Sequence, residues 1–395
     1  MTTALLALAL LSVKFQGPAQ ELLDLSEDEQ WVLARDRHVA NCKTKKGGCQ
    51  FSSLSVYEAA TGKQVATWEG EEDTYLATAR FLPGNSIQAA FSKPRAGTTL
   101  LQWDWKAGAK AQTTQLSPKS LSPHCILDNT GAILADWDKF EVIRGDTTTA
   151  LPATTIKIRL HLDLEFDCRH WLHGSSILAP NPKPITGLSW MNLDGSPAIP
   201  CTTPTGRIHN YAISDDGTLL AIITGQAGPA DDESGVMGPD YKVFLEVREA
   251  TPNCKLLRRL ELSFPEQPKR DRPLLAPKNA YWANARLRSD FAKPIAISPD
   301  NQTIALGYGI RTDGIYSDSI AHFALYSLET GKRLGAVTAD RFKNNAIVSL
   351  FKYSENVVTG SAPLGQTLRF TRDGKTLYGS SNRLYRWPIA EFTEP

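Results

Sequence analysis

Short alternations of apolar and polar residues recur along the whole chain, and each contains a polar turn. In ISDDGTLLA (213–221) and ISPDNQTIA (297–305), an apolar stretch runs into a turn with Asp, Asn or Gly, and a second apolar stretch follows. Period-two alternation on both sides of such a turn is typical of a tight β-hairpin. The pattern occurs seven times, at 25–34, 81–91, 126–135, 173–179, 213–221, 297–305 and 370–378.

A second pattern, an aromatic or β-branched strand followed by another turn, interleaves with the first. It also occurs seven times, at 55–68, 101–110, 140–149, 188–200, 244–257, 324–337 and 383–392. Two signals with the same count and strict alternation indicate an internal repeat. Each repeat is therefore predicted to be a unit of four antiparallel strands.

Segments such as AISPDNQTIALGYG (296–309) and RFTRDGKTLYGSSNRLYRW (369–387) resemble the blades of bacterial WD-repeat-like propellers. The blades are degenerate, because the Gly-His pair is missing and a Trp-Asp dipeptide occurs only at Trp103-Asp104 and Trp137-Asp138. The resemblance covers nearly the whole chain. It implies an all-β fold, a single seven-bladed β-propeller of four-stranded antiparallel blades, with a function in binding and interaction.

The last repeat has too few residues after 383–387 for a fourth strand, so another segment must complete it. SVKFQG (12–17) aligns with VATWEG (65–70), the outer strand of the first repeat. We therefore predict closure by an N-terminal strand, which removes the open edges of the ring. The predicted propeller covers 12–395, with an apolar segment at 1–11. Its blades are expected near 20–70, 75–117, 121–153, 155–203, 207–263, 292–338 and 364–392 plus 12–17, with insertions at 225–240, 264–293 and 340–364.

The composition of the chain argues against several classes of protein and against one class of partner. With 42% hydrophobic residues, 28 Gly and 24 Pro, the chain is neither disordered nor collagen-like. The 43 basic and 42 acidic residues leave a net charge of +1, without the basic excess of a nucleic-acid-binding protein. We expect a protein or peptide partner, or else a small anionic or sugar ligand, no nucleic acid, no transmembrane segment and a monomeric state.

The N-terminal segment and the cysteines give information on the cellular compartment of the protein. TTALLALALL (2–11) has the length of a signal-peptide apolar region but lacks a basic segment before it. Cleavage after Ala19 would also remove the predicted closing strand. Cys42 and Cys49 bracket the tip KTKKGG between two strand-like segments and are a disulfide candidate, while the other four cysteines are expected to be mostly buried thiols. We expect a secreted or periplasmic protein, with a cytoplasmic one as the alternative.

Function in a propeller is expected in its long loops, and two insertions carry candidate chemistry. Between Lys269 and Lys293, seven basic residues against two acidic ones give a local net charge of +5, with two aromatic residues between them. Arginine beside an exposed aromatic ring suits carboxylate, phosphate or sugar recognition. The candidate binding residues are Lys269, Arg270, Arg272, Tyr281, Trp282, Arg286 and Arg288. The alternative is a strap that packs its aromatic residues against the propeller and leaves its charges in water.

The other insertion carries a weak candidate metal site at Asp231, Asp232, Glu233 and Asp240, whose oxygens suit Ca²⁺ but match no EF-hand spacing. A solvated loop is the competing interpretation. His, Cys and carboxylates also crowd together at 161–173, where period-two alternation indicates a solvated sheet face rather than a zinc site.

No phosphate loop, dinucleotide fingerprint, nucleophile elbow or HExxH helix occurs in the sequence. We therefore predict a non-catalytic binding scaffold without a cofactor. The alternative is a lactonase-like or quinoprotein-like propeller enzyme that acts on a small molecule or carbohydrate, with a metal or cofactor at the channel mouth.

Overall fold

The computed structural model of the chain describes the strand framework. The described residues are 12–16, 20–41, 48–93, 96–117, 122–127, 133–136, 140–145, 147–151, 172–180, 187–202, 206–226, 242–262, 294–311, 319–338, 367–380 and 383–393. These ranges contain strands, turns and two single-turn 3-10 helices at Pro83–Asn85 and Ile389–Glu391. None of these residues belongs to a helix with the length and apolarity needed to cross a membrane.

The described ranges contain 28 strands. In chain order the first thirteen are β1 (Val13–Lys14), β2 (Gln20–Leu25), β3 (Trp31–Asn41), β4 (Gly48–Glu58), β5 (Gln64–Glu69), β6 (Tyr75–Phe81), β7 (Ile87–Lys93), β8 (Gly97–Trp103), β9 (Gln112–Ser117), β10 (Ser122–Ile126), β11 (Ile133–Asp136), β12 (Phe140–Arg144) and β13 (Thr147–Ala150). The others are β14 (Leu172–His173), β15 (Ser176–Pro180), β16 (Leu188–Asn192), β17 (Ile199–Thr202), β18 (Arg207–Ile213), β19 (Leu219–Gln226), β20 (Lys242–Glu249), β21 (Leu256–Glu261), β22 (Ile295–Ile297), β23 (Thr303–Arg311), β24 (Ser319–Ser327), β25 (Arg333–Thr338), β26 (Leu368–Phe370), β27 (Thr376–Ser380) and β28 (Leu384–Pro388).

The strands form antiparallel four-stranded sheets, and in sheets 1 to 6 each strand pairs with its neighbour in sequence. In chain order, sheets 1 to 6 are β2–β5, β6–β9, β10–β13, β14–β17, β18–β21 and β22–β25, and sheet 7 has the order β26-β27-β28-β1. The prediction of an all-β propeller with four-stranded antiparallel blades is confirmed. The predicted blade boundaries inside the connections between sheets stay predictions.

Each sheet packs its apolar side chains against the next sheet along the chain. One core cluster joins sheets 1 and 2 through Leu33, Val56, Leu76 and Ile87, all of them fully buried. Further clusters join sheets 2 and 3, sheets 3, 4 and 5, sheets 5 and 6, and sheets 6 and 7. A last cluster packs sheet 7 against sheet 1. Burial between neighbouring sheets around a circle is the packing of a β-propeller.

Exposure rises from the inner strands to the outer ones. Strand β19, second in sheet 5, is buried along most of its length, because sheets pack against both of its faces. Strand β21, the outer strand of that sheet, is mostly exposed and carries Arg258 and Arg259. Charged side chains on an outer strand discourage pairing with another chain.

Residues 12–16 lie along the outer edge of sheet 7. Val13 is paired with Arg386 and Lys14 with Tyr385, and the Phe15 amide donates to the Leu384 carbonyl at 3.1 Å. The Phe15 side chain is 1% exposed.

The neighbours of this segment come from both sheet 7 and sheet 1. The Phe15 ring lies 5.6 Å from the Tyr57 ring and 6.4 Å from the Tyr378 ring. A Cβ at Gly62, which has φ +69°, would lie 2.8 Å from Val13 Cγ1. The turn of sheet 1 thus needs a glycine here, because the N-terminal segment approaches it closely.

The C-terminal residues also lie against a neighbouring sheet. The Ala336 amide donates to the Thr393 carbonyl at 3.1 Å, which adds an isolated bridge beside β25 of sheet 6. A Cβ at Gly335 would approach the Phe392 carbonyl oxygen to 2.4 Å. This close approach requires glycine, and it ties sheet 6 to the segment that follows sheet 7.

Candidate functional site

The two ends of the sheets differ in how their strands are connected. In sheet 5, residues 214–218 join the first two strands and 227–241 join the second and third. In an antiparallel sheet, the first and third hairpins turn at one end, while the second connection and the link to the next sheet lie at the other. We call the first end the turn face and the second the loop face. Binding residues of a propeller are expected on such faces, because the strands are scaffold.

Four tight turns on the turn face share one hydrogen-bonding pattern around an aspartate. In sheet 5, the Ser214 hydroxyl donates to Asp216 Oδ1 at 2.6 Å, and the Thr218 amide donates to the same oxygen at 3.0 Å. The Leu219 amide donates to Ser214 Oγ at 2.9 Å. The same pattern recurs in sheets 1, 6 and 7 around Asp28, Asp300 and Asp373. Such bonds fix the backbone of a short turn.

The residue after each of these aspartates has a left-handed backbone. The φ values are +55° for Glu29, +70° for Gly217, +58° for Asn301 and +69° for Gly374. Asparagine and glycine tolerate this conformation readily, and glutamate adopts it only where the surroundings hold it.

Hydrogen bonds lower the pKa of three of these aspartates. Burial alone would raise the pKa of Asp216, but donors from Ser214, Thr218 and Asn301 bring it to about 2. Burial likewise raises the pKa of Asp28, and hydrogen bonds together with the Lys106 charge lower it below its usual value. For Asp373 the largest effect is the Thr371 hydroxyl bond, which lowers the pKa. The carboxylates are therefore ionised at neutral pH and act as acceptors within the turns.

The turns are also bonded to one another across the sheet boundaries. Asn301 Nδ2 of sheet 6 donates to Asp216 Oδ2 of sheet 5 at 2.8 Å. Two similar links join sheets 7 and 1 and sheets 1 and 2, namely the Arg372 amide to Glu29 Oε1 at 2.6 Å and Asn85 Nδ2 to Asp28 Oδ2 at 3.4 Å. These bonds join the turns of sheets 5 and 6 to each other, and the turn of sheet 1 to those of sheets 7 and 2.

An aromatic corner lies on the turn face where sheets 1 and 2 meet. Trp31 begins β3, and Trp105 lies in the turn after β8; their ring centroids are 4.9 Å apart at an interplanar angle of 69°. Trp105 Nε1 donates to the Asn85 carbonyl at 2.7 Å, which fixes that ring. The exposed Lys106 places its Nζ 5.2 Å from the Trp31 ring and 5.5 Å from the Trp105 ring. Both distances lie within the range of a cation–π contact.

A buried ion pair ties sheets 1 and 2 together at their inner strands. Arg35, whose side chain is 0% exposed, donates from Nη2 to Glu21 Oε2 at 2.5 Å. Its Nη1 donates to the carbonyls of Leu76 and Ala77, at 2.6 and 2.9 Å. The guanidinium therefore binds one carboxylate of its own sheet and two backbone carbonyls of the next.

Sheets 4 and 5 are joined covalently. Cys201 on β17 and Cys254 in the turn before β21 form a disulfide, with 5.2 Å between their Cα atoms. The Trp190 indole N–H of sheet 4 donates to the Thr251 carbonyl of the same turn at 3.1 Å. The expectation that these cysteines are free buried thiols is wrong. The two lie 53 residues apart and come together only because neighbouring sheets pack side by side.

An ion pair in sheet 5 holds the turn that contains Cys254. Glu246 of β20, whose side chain is 1% exposed, accepts from Arg248 Nε at 2.9 Å and from Nη2 at 2.6 Å. Arg248 Nη1 also donates to the Cys254 carbonyl at 2.9 Å. The disulfide therefore sits in a turn whose backbone is fixed from both sides.

The predicted binding residues fall in segments outside the described residues. These are Lys269, Arg270, Arg272, Tyr281, Trp282, Arg286 and Arg288, together with the metal candidates Asp231, Asp232, Glu233 and Asp240. Cys42 is likewise outside them, and so is the Cys49 side chain. The roles of these residues stay predictions. Among the described residues, no group of three or more His, Cys, Asp and Glu side chains is placed to hold a metal ion.

Sequence reasoning overlooked two features that the structure brings together. Trp31 and Trp105 belong to different repeats, and only the packing of sheets 1 and 2 makes them neighbours. The Ser/Thr-x-Asp spacing of the four turns was readable in SEDE (26–29), SDDG (214–217), SPDN (298–301) and TRDG (371–374). This spacing predicts a turn, but it does not indicate the bonds between turns of different sheets.

Solved structures similar to this chain share little sequence identity with it. No protein-family model and no curated protein matches it. Among solved structures, it is similar to KlHsv2 with loop 6CD replaced by a Gly-Ser linker, at 11% identity and a TM-score of 0.48, over 92% of this chain and 90% of that one. It is also similar to a chain of the mitotic checkpoint complex, at 11% identity and a TM-score of 0.47, over 96% and 93%.

A third similar structure is the WD40 domain of SCAP from fission yeast, at 10% identity and a TM-score of 0.38, over 94% of this chain and 85% of that chain. The four-stranded sheets of this chain themselves define its propeller fold.

Proposed function

We propose that this protein is a non-catalytic interaction scaffold that binds a protein or peptide partner through its loop face. The observation that supports the proposal is the difference in length between the connections on the turn face and those on the loop face. The turns of the turn face are short and bonded to one another, while the loop face has long connections such as 227–241 between β19 and β20. A rigid ring that presents long loops at one end is the usual arrangement of a binding propeller.

The binding segment proposed within the loop face is the insertion 264–293 between sheets 5 and 6. Its candidate contacts are Lys269, Arg270, Arg272, Tyr281, Trp282, Arg286 and Arg288. A local net charge of +5 beside two aromatic residues favours an acidic partner, because arginine forms paired bonds with carboxylates and stacks on flat groups. A small anionic or sugar ligand would use the same chemistry.

We also propose that the sheets form one seven-bladed ring closed by residues 12–17. The pairing of β1 with β28 supports this closure, and so does the burial of Phe15 between Tyr57 and Tyr378. The Ser12 amide donates to Glu391 Oε1 at 3.0 Å and adds a polar contact at the start of the segment. Such closure covers the edge of β28 that would otherwise be unpaired.

An oxidising compartment is part of the proposal, together with a bacterial origin and a monomeric state. The Cys201–Cys254 disulfide supports export, because disulfides persist outside the reducing cytosol. The proposed locations are the periplasm or the cell exterior.

Affinity capture with matched charge variants tests the scaffold proposal. The intact chain is used to capture a partner, and the Kd of that partner is then measured for the wild type, the Lys269→Glu/Arg270→Glu/Arg272→Glu variant, and a control. The control, Lys63→Glu/Lys255→Glu/Lys332→Glu, reverses three exposed lysines in turns of the turn face. We expect a loss of affinity of about tenfold or more in the loop variant, and little change in the control. Equal affinity in all three proteins would refute the loop as the binding segment.

A further inference from the structure

The proposed scaffold function gives no role to the aromatic corner formed by Trp31 and Trp105. Its two rings meet at 69° and form two walls that open on the turn face. Both rings are partly buried at the edge of the core cluster between sheets 1 and 2, so the backbone of two sheets holds the walls in place.

The electrostatics of the corner select a cation. The face of an indole ring carries negative potential, and a cation within about 6 Å of two such faces is attracted by both. Asp28 lies nearby, and its turn is linked to that of Asn85, whose carbonyl anchors Trp105. The charge of Lys106 is close enough to Asp28 to favour its ionised form. A cation in this corner is therefore attracted by two rings and by one carboxylate.

The chain fills the corner with its own ammonium group. Lys106 lies next to Trp105 in the sequence, and its Nζ sits 5.2 and 5.5 Å from the two ring centroids. Within the described ranges, Lys106 forms no ion pair within 4.0 Å and no hydrogen bond through its ammonium group. Because that ammonium is exposed and strongly hydrated, little free energy holds it over the rings.

We propose that the Trp31–Trp105 corner is a binding site for a trimethylammonium group, and that the Lys106 ammonium is its built-in occupant, which the ligand displaces. A trimethylammonium carries the same charge as lysine with weaker hydration and a larger apolar surface. It therefore gains more than lysine from two ring faces, and aromatic corners are its usual protein sites.

A second observation indicates that the corner is not a saturated piece of core. The Trp31 Nε1–H group is buried, and it has no acceptor in the part of the chain that the structure describes. Buried donors are normally paired with an acceptor. Among the described residues, the Trp31 side of the corner therefore lacks a hydrogen bond that a fully packed core would provide. The Trp105 indole, by contrast, is satisfied by the Asn85 carbonyl.

The test is a titration of the full chain with tetramethylammonium chloride at constant ionic strength, followed through the indole N–H signals of Trp31 and Trp105 by NMR. We expect saturable shifts of these two signals. Lys106→Gln removes the competing ammonium and should bind about twofold to fivefold more tightly, which corresponds to about 0.5–1 kcal/mol for an exposed cation–π contact. Lys332→Gln, at an exposed lysine in the equivalent turn of sheet 6, should bind like the wild type.

Two substitutions of Trp105 separate ring electrostatics from apolar packing. Trp105→Leu keeps an apolar side chain without a π face and should abolish binding, while Trp105→Phe should retain it in part. Choline and a trimethyllysine amide then distinguish a headgroup source from a modified-protein source. The uncharged carbon analogue of choline should not bind.

Three outcomes would overturn the inference. The first is the absence of a saturable shift in both the wild type and Lys106→Gln. The second is equal affinity in those two proteins, which would show that Lys106 does not occupy the site. The third is equal binding of the uncharged analogue, which would assign the site to apolar contact alone. None of these results depends on the loop-face proposal, because the corner lies on the turn face.

Discussion

Removal of the Cys201–Cys254 disulfide should lower the stability of the protein by a predictable amount. The bridge closes a loop with a sequence separation of 53. In the chain-entropy description, a loop of this length gives about 4 kcal/mol at 25 °C through restriction of the unfolded chain. The Trp190–Thr251 hydrogen bond and the Glu246–Arg248 pair do not require the bridge, so the turn should keep its place after reduction.

That free energy corresponds to a measurable shift in Tm. An unfolding entropy of about 2.1 cal/mol/K per residue gives about 0.8 kcal/mol/K for a chain of 395 residues. Loss of about 4 kcal/mol therefore lowers Tm by about 5 °C.

Differential scanning calorimetry with and without dithiothreitol measures the shift, and matched variants assign it. Cys201→Ser/Cys254→Ser should melt about 5 °C below the oxidised wild type and should not respond further to reductant at this site. Cys42→Ser/Cys49→Ser keeps the Cys201–Cys254 bridge, so its Tm should still fall by about 5 °C when dithiothreitol is added. An unchanged Tm in the first variant, or peptide mapping that finds Cys201 and Cys254 unlinked in protein purified without reductant, would refute the reasoning.

Three further predictions concern packing and charge within the sheets and their turns. Arg35→Met should cost about 3 kcal/mol in urea unfolding, because it removes the donors that Arg35 supplies to Glu21 and to the Leu76 and Ala77 carbonyls, and Glu21→Gln added to it should recover part of that loss. Phe15→Ala should cost about 3–5 kcal/mol, because the ring is 1% exposed, whereas Gln16→Ala, at an exposed neighbour, should cost less than about 0.5 kcal/mol; equal small losses would contradict the packing. The Asp216 carboxyl has a folded pKa of about 2, below its usual 3.8, so it stabilises the fold above pH 3.8 and that contribution is lost as the pH falls through about 2. Asp216→Asn should therefore be less stable than the wild type by about 1 kcal/mol at neutral pH, after allowance for solvent screening, and the difference should shrink as the pH falls through about 2 and vanish below it; a difference that keeps its full size there would contradict the assignment.

The repeat pattern of the sequence was sufficient to predict the four-stranded antiparallel sheets. Turn residues and period-two alternation are local signals, and they placed the hairpin at 213–221 where β18 turns into β19. The segment SVKFQG was likewise predicted to lie beside the last repeat, and Val13 and Lys14 are paired with β28. Both inferences needed only the order of strands along the chain.

Contacts between sheets were beyond the reach of the sequence, because no local pattern records them. Cys201 could be matched to Cys254 only after sheets 4 and 5 were placed side by side. The same holds for Arg35, whose acceptors Leu76 and Ala77 lie in the next sheet, and for the corner of Trp31 and Trp105. The charge and the aromatic residues of 264–293 are visible in the sequence and favour that insertion as the binding segment, whereas the short turns carry no comparable signal.

The central claim is that residues 12–16 complete the seventh sheet and so close the ring, and hydrogen–deuterium exchange tests it most directly. The Phe15 amide donates to the Leu384 carbonyl, and the Gln16 amide donates to the Gly62 carbonyl at 3.3 Å. These amides should therefore exchange as slowly as those of β28, and both sets should lose protection at the same urea concentration. Exchange of residues 12–16 within seconds, while β28 stays protected, would contradict the closed ring.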